Sequence, residues 1–122
     1  MKKYESIFYV TSRGESPVDD FLDTLSLKVR AKVMSFIALL EEKGPTLKRP
    51  YTDILEAGIR ELRIQFSPNH YRLLYFFFMR DNIIFTHGLI KKTDKVPKEE
   101  IERAKRRKKD FTIRYKGGEI KL

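Results

Sequence analysis

Gly58-Ile59-Arg60-Glu61-Leu62-Arg63-Ile64-Gln65-Phe66, Ser67-Pro68-Asn69-His70, Tyr71-Arg72-Leu73-Leu74-Tyr75-Phe76-Phe77-Phe78, Met79-Arg80-Asp81-Asn82 and Ile83-Ile84-Phe85-Thr86-His87-Gly88-Leu89-Ile90-Lys91-Lys92-Thr93 follow one another without a break. The run predicts three adjacent antiparallel strands joined by two short turns. In the first, Leu62, Ile64 and Phe66 alternate with Glu61, Arg63 and Gln65, the period of a half-buried strand. The second is apolar on both parities except at Arg72, which predicts a central strand covered on both sides. The third puts Ile83, Phe85, His87, Leu89 and Lys91 on one parity.

Register decides which side chains share a face. A two-residue turn at Asp81-Asn82 pairs Arg80 with Ile83, and so Phe76 with His87, Leu74 with Leu89 and Arg72 with Lys91. A four-residue loop Ser67–His70 pairs Phe66 with Tyr71, Gln65 with Arg72 and Arg63 with Leu74. Directly paired residues point to the same side. One face then carries three rows: Gln65, Arg72 and Lys91; Arg63, Leu74 and Leu89; Glu61, Phe76 and His87. The other face carries Leu62, Ile64, Phe66, Tyr71, Leu73, Tyr75 and Phe77. A one-residue change in either loop would flip a strand and scatter the cluster.

The flanking segments supply the cover. Tyr4 to Thr11 is aromatic and β-branched and reads as a first strand. Ser16-Pro17 opens a helix with Asp19 and Asp20 at its positive end and Val18, Phe21, Leu22 and Leu25 as its apolar stripe. Ser26 caps a second helix with Val29, Val33, Phe36, Ile37 and Leu40 inward, ended by Gly44-Pro45. Thr46 to Gly58 reads as a connector. Pro97 opens a last helix, with Glu99 and Glu100 early and a basic run through Lys109 late, matching the helix dipole at both ends. Residues 110–122 read as a tail, either a small hairpin around Gly117-Gly118 or a loose segment. The expectation is one domain spanning 1–122, with its core at about 4–109. The fold class is α+β: a small, mainly antiparallel sheet on an N-terminal helix hairpin, with a basic C-terminal helix.

Composition narrows the function. The chain has 122 residues, 41% apolar and 12% aromatic, enough for a real core and too apolar for wholesale disorder. It has no cysteine, which excludes disulfides and thiolate metal sites. The N-terminus lacks a signal-peptide core, and no apolar run approaches the roughly 20 residues that span a bilayer. A cytoplasmic protein without membrane attachment is expected. Net charge is +9, unevenly placed. Residues 1–85 carry 13 Lys/Arg against 11 Asp/Glu, and residues 86–122 carry 13 against 6. Such a field favours a polyanionic partner, although a solvated basic helix produces the same pattern.

The basic face suits RNA cleavage without a metal. That reaction needs a base for the 2′-OH, a cation for the phosphorane and an acid for the 5′-oxygen. Arg63 and Arg72 suit the cationic role, since guanidinium is a planar donor fork for phosphate. His87 suits proton transfer, and Lys91 or Lys92 can share that work. Gln65, Lys92, Lys95 and Tyr71 complete the candidate RNA-binding set, Tyr71 by base stacking. The plain alternatives are strand arginines paired with Glu61, a hydrogen-bonded core histidine at 87 and a solvated lysine edge. His70 reads as a loop residue without a chemical role. The two histidines and scattered acids lack metal-ligand spacing, and no phosphate-binding glycine loop or nucleophile elbow is present.

Four motifs in order carry a resemblance: Glu61-Leu62-Arg63, Tyr71-Arg72-Leu73-Leu74-Tyr75, His87-Gly88-Leu89-Ile90-Lys91-Lys92-Thr93, and Pro97 through Ala104. With the predicted element order, they make the chain resemble the RelE/ParE toxin superfamily, closest to its HigB-like, phage-derived branch, over roughly residues 4–109. The resemblance implies a RelE-like α+β domain acting as the toxin of a type II toxin–antitoxin pair, a ribosome-dependent mRNA endoribonuclease that needs no cofactor. It implies a cognate antitoxin, often of helix-turn-helix type, with ribosome and mRNA as targets. It assigns catalysis to Arg72, with contributions from Arg63 and from Lys91 and Lys92; His87 as acid or base comes from its chemistry alone. The superfamily also holds ParE-like inhibitors of DNA gyrase that cut no RNA. A non-toxic basic nucleic-acid-binding module is the remaining alternative.

Overall fold

The computed structural model describes residues 2–93 and 95–122. Five strands, β1 (Glu5–Phe8), β2 (Thr52–Ile54), β3 (Arg60–Phe66), β4 (Asn69–Phe78) and β5 (Asn82–Lys91), form one sheet in the order β1-β5-β4-β3-β2. Only β1 is parallel to its neighbour. Helices α1 (Pro17–Asp23) and α2 (Leu27–Lys43) cover one face and α3 (Lys98–Lys116) the other, giving the expected α+β architecture.

The predicted central strand is central. Leu73, Tyr75, Leu62, Ile64 and Tyr71 pack with Val18, Leu22, Val29, Val33, Ile37 and Leu40 in the α1/α2 core. Leu74 and Phe76 pack instead with Ala104 and Phe111 of α3. Ser26 caps α2 as predicted, its side chain accepting from the Val29 N–H at 3.3 Å. Ser16 does not cap in that way; its hydroxyl donates to Asp19 at 2.8 Å. Gly88 lets α1 approach β5, because a Cβ there would run into the Phe21 ring.

The register differs from the prediction in both hairpins. The β3–β4 loop is the two residues Ser67-Pro68, so Phe66 pairs with Asn69 and Arg63 with Arg72. The β4–β5 loop is the three residues Met79–Asp81, with Met79 at φ +57°, and Asn82 pairs with Phe78. A bulge then leaves Thr86 without a partner between the pairs Tyr75–Phe85 and Leu74–His87. The bulge overturns the single parity expected for Ile83 through Lys91. Ile83 and Phe85 join the α1/α2 core, whereas His87 and Leu89 lie on the α3 side. Beyond the bulge β4 is displaced by two residues against both neighbours, while β3 and β5 keep the rows predicted for them. A two-residue slip preserves the face, and so the basic cluster survives with different rows.

Two further expectations are corrected. The connector 46–58 contains β2, which extends the sheet at the β3 edge. The tail does not begin at 110. α3 continues to Lys116 because Phe111 and Tyr115 extend its apolar stripe and pack edge-on against Phe76 and Phe78. Only 117–122 lies beyond it, with Arg114 bonded to Glu119 at 2.8 Å. Among the described residues no helix is long and apolar enough to cross a membrane.

Candidate nucleic-acid-binding site

The α3 side of the sheet carries three polar rows. Glu61, Leu74 and His87 form the first, Arg63, Arg72 and Leu89 the second, and Gln65, His70 and Lys91 the third. Val96, Ala104 and Phe111 close the sheet from the apolar end as far as the first row, with Leu89 and Ile101 at the margin. The third row lies beyond that cover: Gln65 is exposed, and His70 and Lys91 are half-buried.

Arg63 and Arg72 face one another directly across β3 and β4. Opposed like charges are destabilising in a sheet, by about 0.2–1 kcal/mol. Glu61 offsets this, its Oε1 lying 2.7 Å from Arg72 Nε. Both partners of that ion pair are buried, with Arg72 only 1% exposed. Nη1 of Arg72 also donates to the Tyr71 carbonyl at 3.1 Å. Burial pushes the Glu61 carboxyl above the usual carboxylate range, against the pull of Arg72 and Arg63. The pair fixes the Arg72 guanidinium rather than leaving it to solvent.

Two clefts meet at Arg63. One, of about 280 Å³, is lined by Pro50, Arg63, Gln65, His70 and Arg72. The other, of about 310 Å³, includes Arg49, Asp53, Glu61, Arg63, Lys95 and Val96. Cations thus flank a concave surface on the sheet face that α3 leaves open, a geometry suited to phosphate.

His87 is not brought to these clefts. It is buried under α3, 5% exposed, and lines a separate hollow with Phe21, Gly88, Arg103 and Arg107. Its Nε2 lies 3.1 Å from Glu100 and its Nδ1 3.0 Å from the Thr86 hydroxyl. In a neutral ring protonated on Nε2, Nε2–H donates to Glu100, and Nδ1 shares the Thr86 hydroxyl proton with the Leu74 carbonyl, 3.3 Å from that hydroxyl. Burial, with Arg107 adding to it, pushes the imidazole down to about 4, against the pull of Glu100. With both nitrogens engaged, His87 ties β5 to α3.

Tyr71 lies where the predicted register put it, away from the cleft and from a stacking role. It is in the core on the opposite face, with Asn69 donating to its hydroxyl at 3.3 Å. Lys92 is exposed just past Lys91, and Lys95 lines the second cleft. The residue missed from the sequence is His70. The shorter loop moves it from a turn into β4, between Gln65 and Lys91 and beside both arginines. The available signal was a Ser67-Pro68 two-residue turn, which continues the strand through Asn69 and His70.

The family of phage-derived, Gp49-like proteins matches residues 20–109. The chain belongs to that family. The Gp49-like family is associated with the toxins of toxin–antitoxin systems. No protein with a curated description matches the chain. The Gp49-like match takes in α2, β2 to β5 and most of α3, and hence every residue of the two clefts.

Proposed function

We propose that this chain is the toxin of a type II toxin–antitoxin pair, of the HigB-like branch, and that it cuts mRNA on the ribosome. The reaction is attack of a 2′-OH on the adjacent phosphate, without a metal. The observation that supports this reading best is the opposed Arg63–Arg72 pair lining the 280 Å³ cleft. A phosphorane gains negative charge in the transition state, and a preorganised guanidinium pair stabilises that charge more than it does the ground state. Arg72, held by Glu61, supplies the rigid half. Arg63, half-buried, supplies the half that contacts RNA. Lys91 delivers a proton to the departing 5′-oxygen. Gln65, Lys92 and Lys95 hold the strand on either side. A cognate antitoxin, of helix-turn-helix type by resemblance, restrains the toxin.

Induced expression in a bacterial host, wild type beside Arg63→Gln, followed by primer extension on abundant mRNAs, tests the reading. Growth arrest with codon-phased cuts is expected for wild type and neither for the variant. Arrest without cuts favours inhibition of gyrase. No arrest with folded protein ends the toxin reading. Arg63 is the better first target because Arg72 also neutralises a buried carboxylate.

A further inference from the structure

We infer that His70 is the general base of this site, an assignment that rests on the nuclease reading above. His70 stands directly opposite Lys91 on one side and Gln65 on the other. Paired side chains in such rows start about 4.5–5.5 Å apart at Cβ, and diagonal ones about 7–8 Å. Arg72 is two residues along the same strand, and Arg63 is diagonal to His70 on β3. All four line or border the one cleft: Arg63, Arg72 and His70 form its wall, and Lys91 is the next residue in the row. A phosphate held by Arg63, with the buried Arg72 guanidinium behind it, therefore places its neighbouring ribose oxygens within reach of His70 and Lys91.

The two histidines differ in what they offer. His87 has both nitrogens engaged and is buried under α3, beside a separate hollow. No hydrogen bond ties the His70 ring among the described residues, and its half-buried side chain borders the cleft. Imidazole is the side chain that ordinarily changes charge between pH 5 and 8, the property that proton transfer at neutral pH requires. Among the described residues, the groups beside it in the cleft and its row are cationic or neutral: Arg63 and Gln65 from β3, Arg72 from β4, Lys91 from β5 and Pro50 from the loop before β2.

Neutral His70 takes the 2′-OH proton as the 2′-oxygen bonds to phosphorus. The bond from phosphorus to the 5′-oxygen breaks, and that oxygen leaves with a proton from the Lys91 ammonium. The products are a 2′,3′-cyclic phosphate, a 5′-hydroxyl, His70 as imidazolium and Lys91 as amine, which exchange their proton through water.

The test compares purified wild type with His70→Gln and His70→Ala on mRNA-programmed ribosomes across pH 5 to 9. The expected loss in single-turnover rate for H70Q is about 10²- to 10⁴-fold, with the acid limb of the pH–rate profile abolished. Added imidazole is expected to restore part of the rate of H70A, which a merely structural role would not allow. In wild-type protein, the His70 ring resonances are expected to move on adding a 2′-O-methyl oligoribonucleotide that cannot be cut, whether or not the variants fold. Unchanged rate and profile in folded H70Q, or unmoved His70 resonances on RNA binding, overturn the assignment while leaving the nuclease reading standing. A wild type that cuts no RNA under any of these conditions overturns the nuclease reading itself.

Discussion

The α3 side of the sheet has two ends, each with a histidine and an arginine in or beside a paired row. At the closed end Phe76, Ile84, Ala104 and Phe111 exclude water, and His87 is held neutral between Thr86 and Glu100 with Arg107 nearby. At the open end His70 lies with Arg63, Gln65 and Lys91 around a cleft, with Arg72 fixed beneath them by Glu61. The same residue types serve stability at one end and suit chemistry at the other. The difference is made by where α3 stops covering the sheet, not by the side chains themselves.

Arg72 spans the two ends, so removing it should have the largest effect. Arg72→Ala leaves Glu61 buried and without its ion-pair partner. Breaking a buried pair from one side costs about 3–5 kcal/mol. Urea unfolding should show that loss, and any activity the protein has should go with it. The double variant Glu61→Gln/Arg72→Met should recover much of the stability without the activity. If Arg72→Ala unfolds at the wild-type denaturant concentration, the closed end does not extend to Arg72.

Next comes the closed end alone. Phe111→Ala opens a cavity against Phe76 and Phe78, and such truncations cost about 3–5 kcal/mol. The cleft lined by Pro50, Arg63, Gln65, His70 and Arg72 shares no residue with the Phe111 cluster, so activity measured below the unfolding transition should persist. Loss of activity in the folded variant would mean that the two ends are coupled through α3.

Acid should act on the closed end as well. The His87 imidazole is held down to about 4 in the fold and returns to about 6.5 when unfolded. The unfolded chain therefore binds more protons between those values. The contribution is complete above about pH 6.5, falls as pH drops through the window and is gone below about pH 4, at most about 3 kcal/mol. Unfolding free energy measured from pH 7 to 4 should fall more steeply for wild type than for His87→Gln. A wild-type curve no steeper than that of His87→Gln would mean that His87 is not buried neutral.

The comparison also shows what could be read from residues alone. Period-two alternation in β3 and the doubly apolar β4 gave the sheet, its central strand and the face on which Arg63, Arg72 and Lys91 sit. Loop lengths were not legible, because Ser67-Pro68-Asn69-His70 suits a two- or a four-residue connection equally well by composition. The face survived because the slip was by two residues, an even number. The bulge at Thr86 was invisible for the opposite reason: it changes parity, and nothing in Phe85-Thr86-His87 marks an extra residue. The last turns of α3 were legible but missed. Ile101, Ala104, Lys108, Phe111 and Tyr115 follow one another at three- and four-residue steps, a continuous stripe hidden by the basic run. His87 shares a row with Glu61 in both registers; it is His70 that the shorter loop carries from the turn to the open end.

Arg63→Gln should have the smallest effect on stability and sharpen the contrast most. Arg63 is half-buried and opposes Arg72 directly, so its removal relieves a like-charge pair while losing its own contacts. The two changes offset, and the expected shift in unfolding free energy is within about 1 kcal/mol. On the nuclease reading the same substitution removes one of two guanidinium groups from the phosphorane, a loss of about 10²- to 10³-fold in single-turnover cleavage, as for one donor of a preorganised charge site. Stability unchanged with cleavage lost would separate the open end from the closed end by experiment. Equal loss of both would show that Arg63, like Arg72, belongs to the buried ion pair, and the site would then shrink to the third row, Gln65, His70 and Lys91.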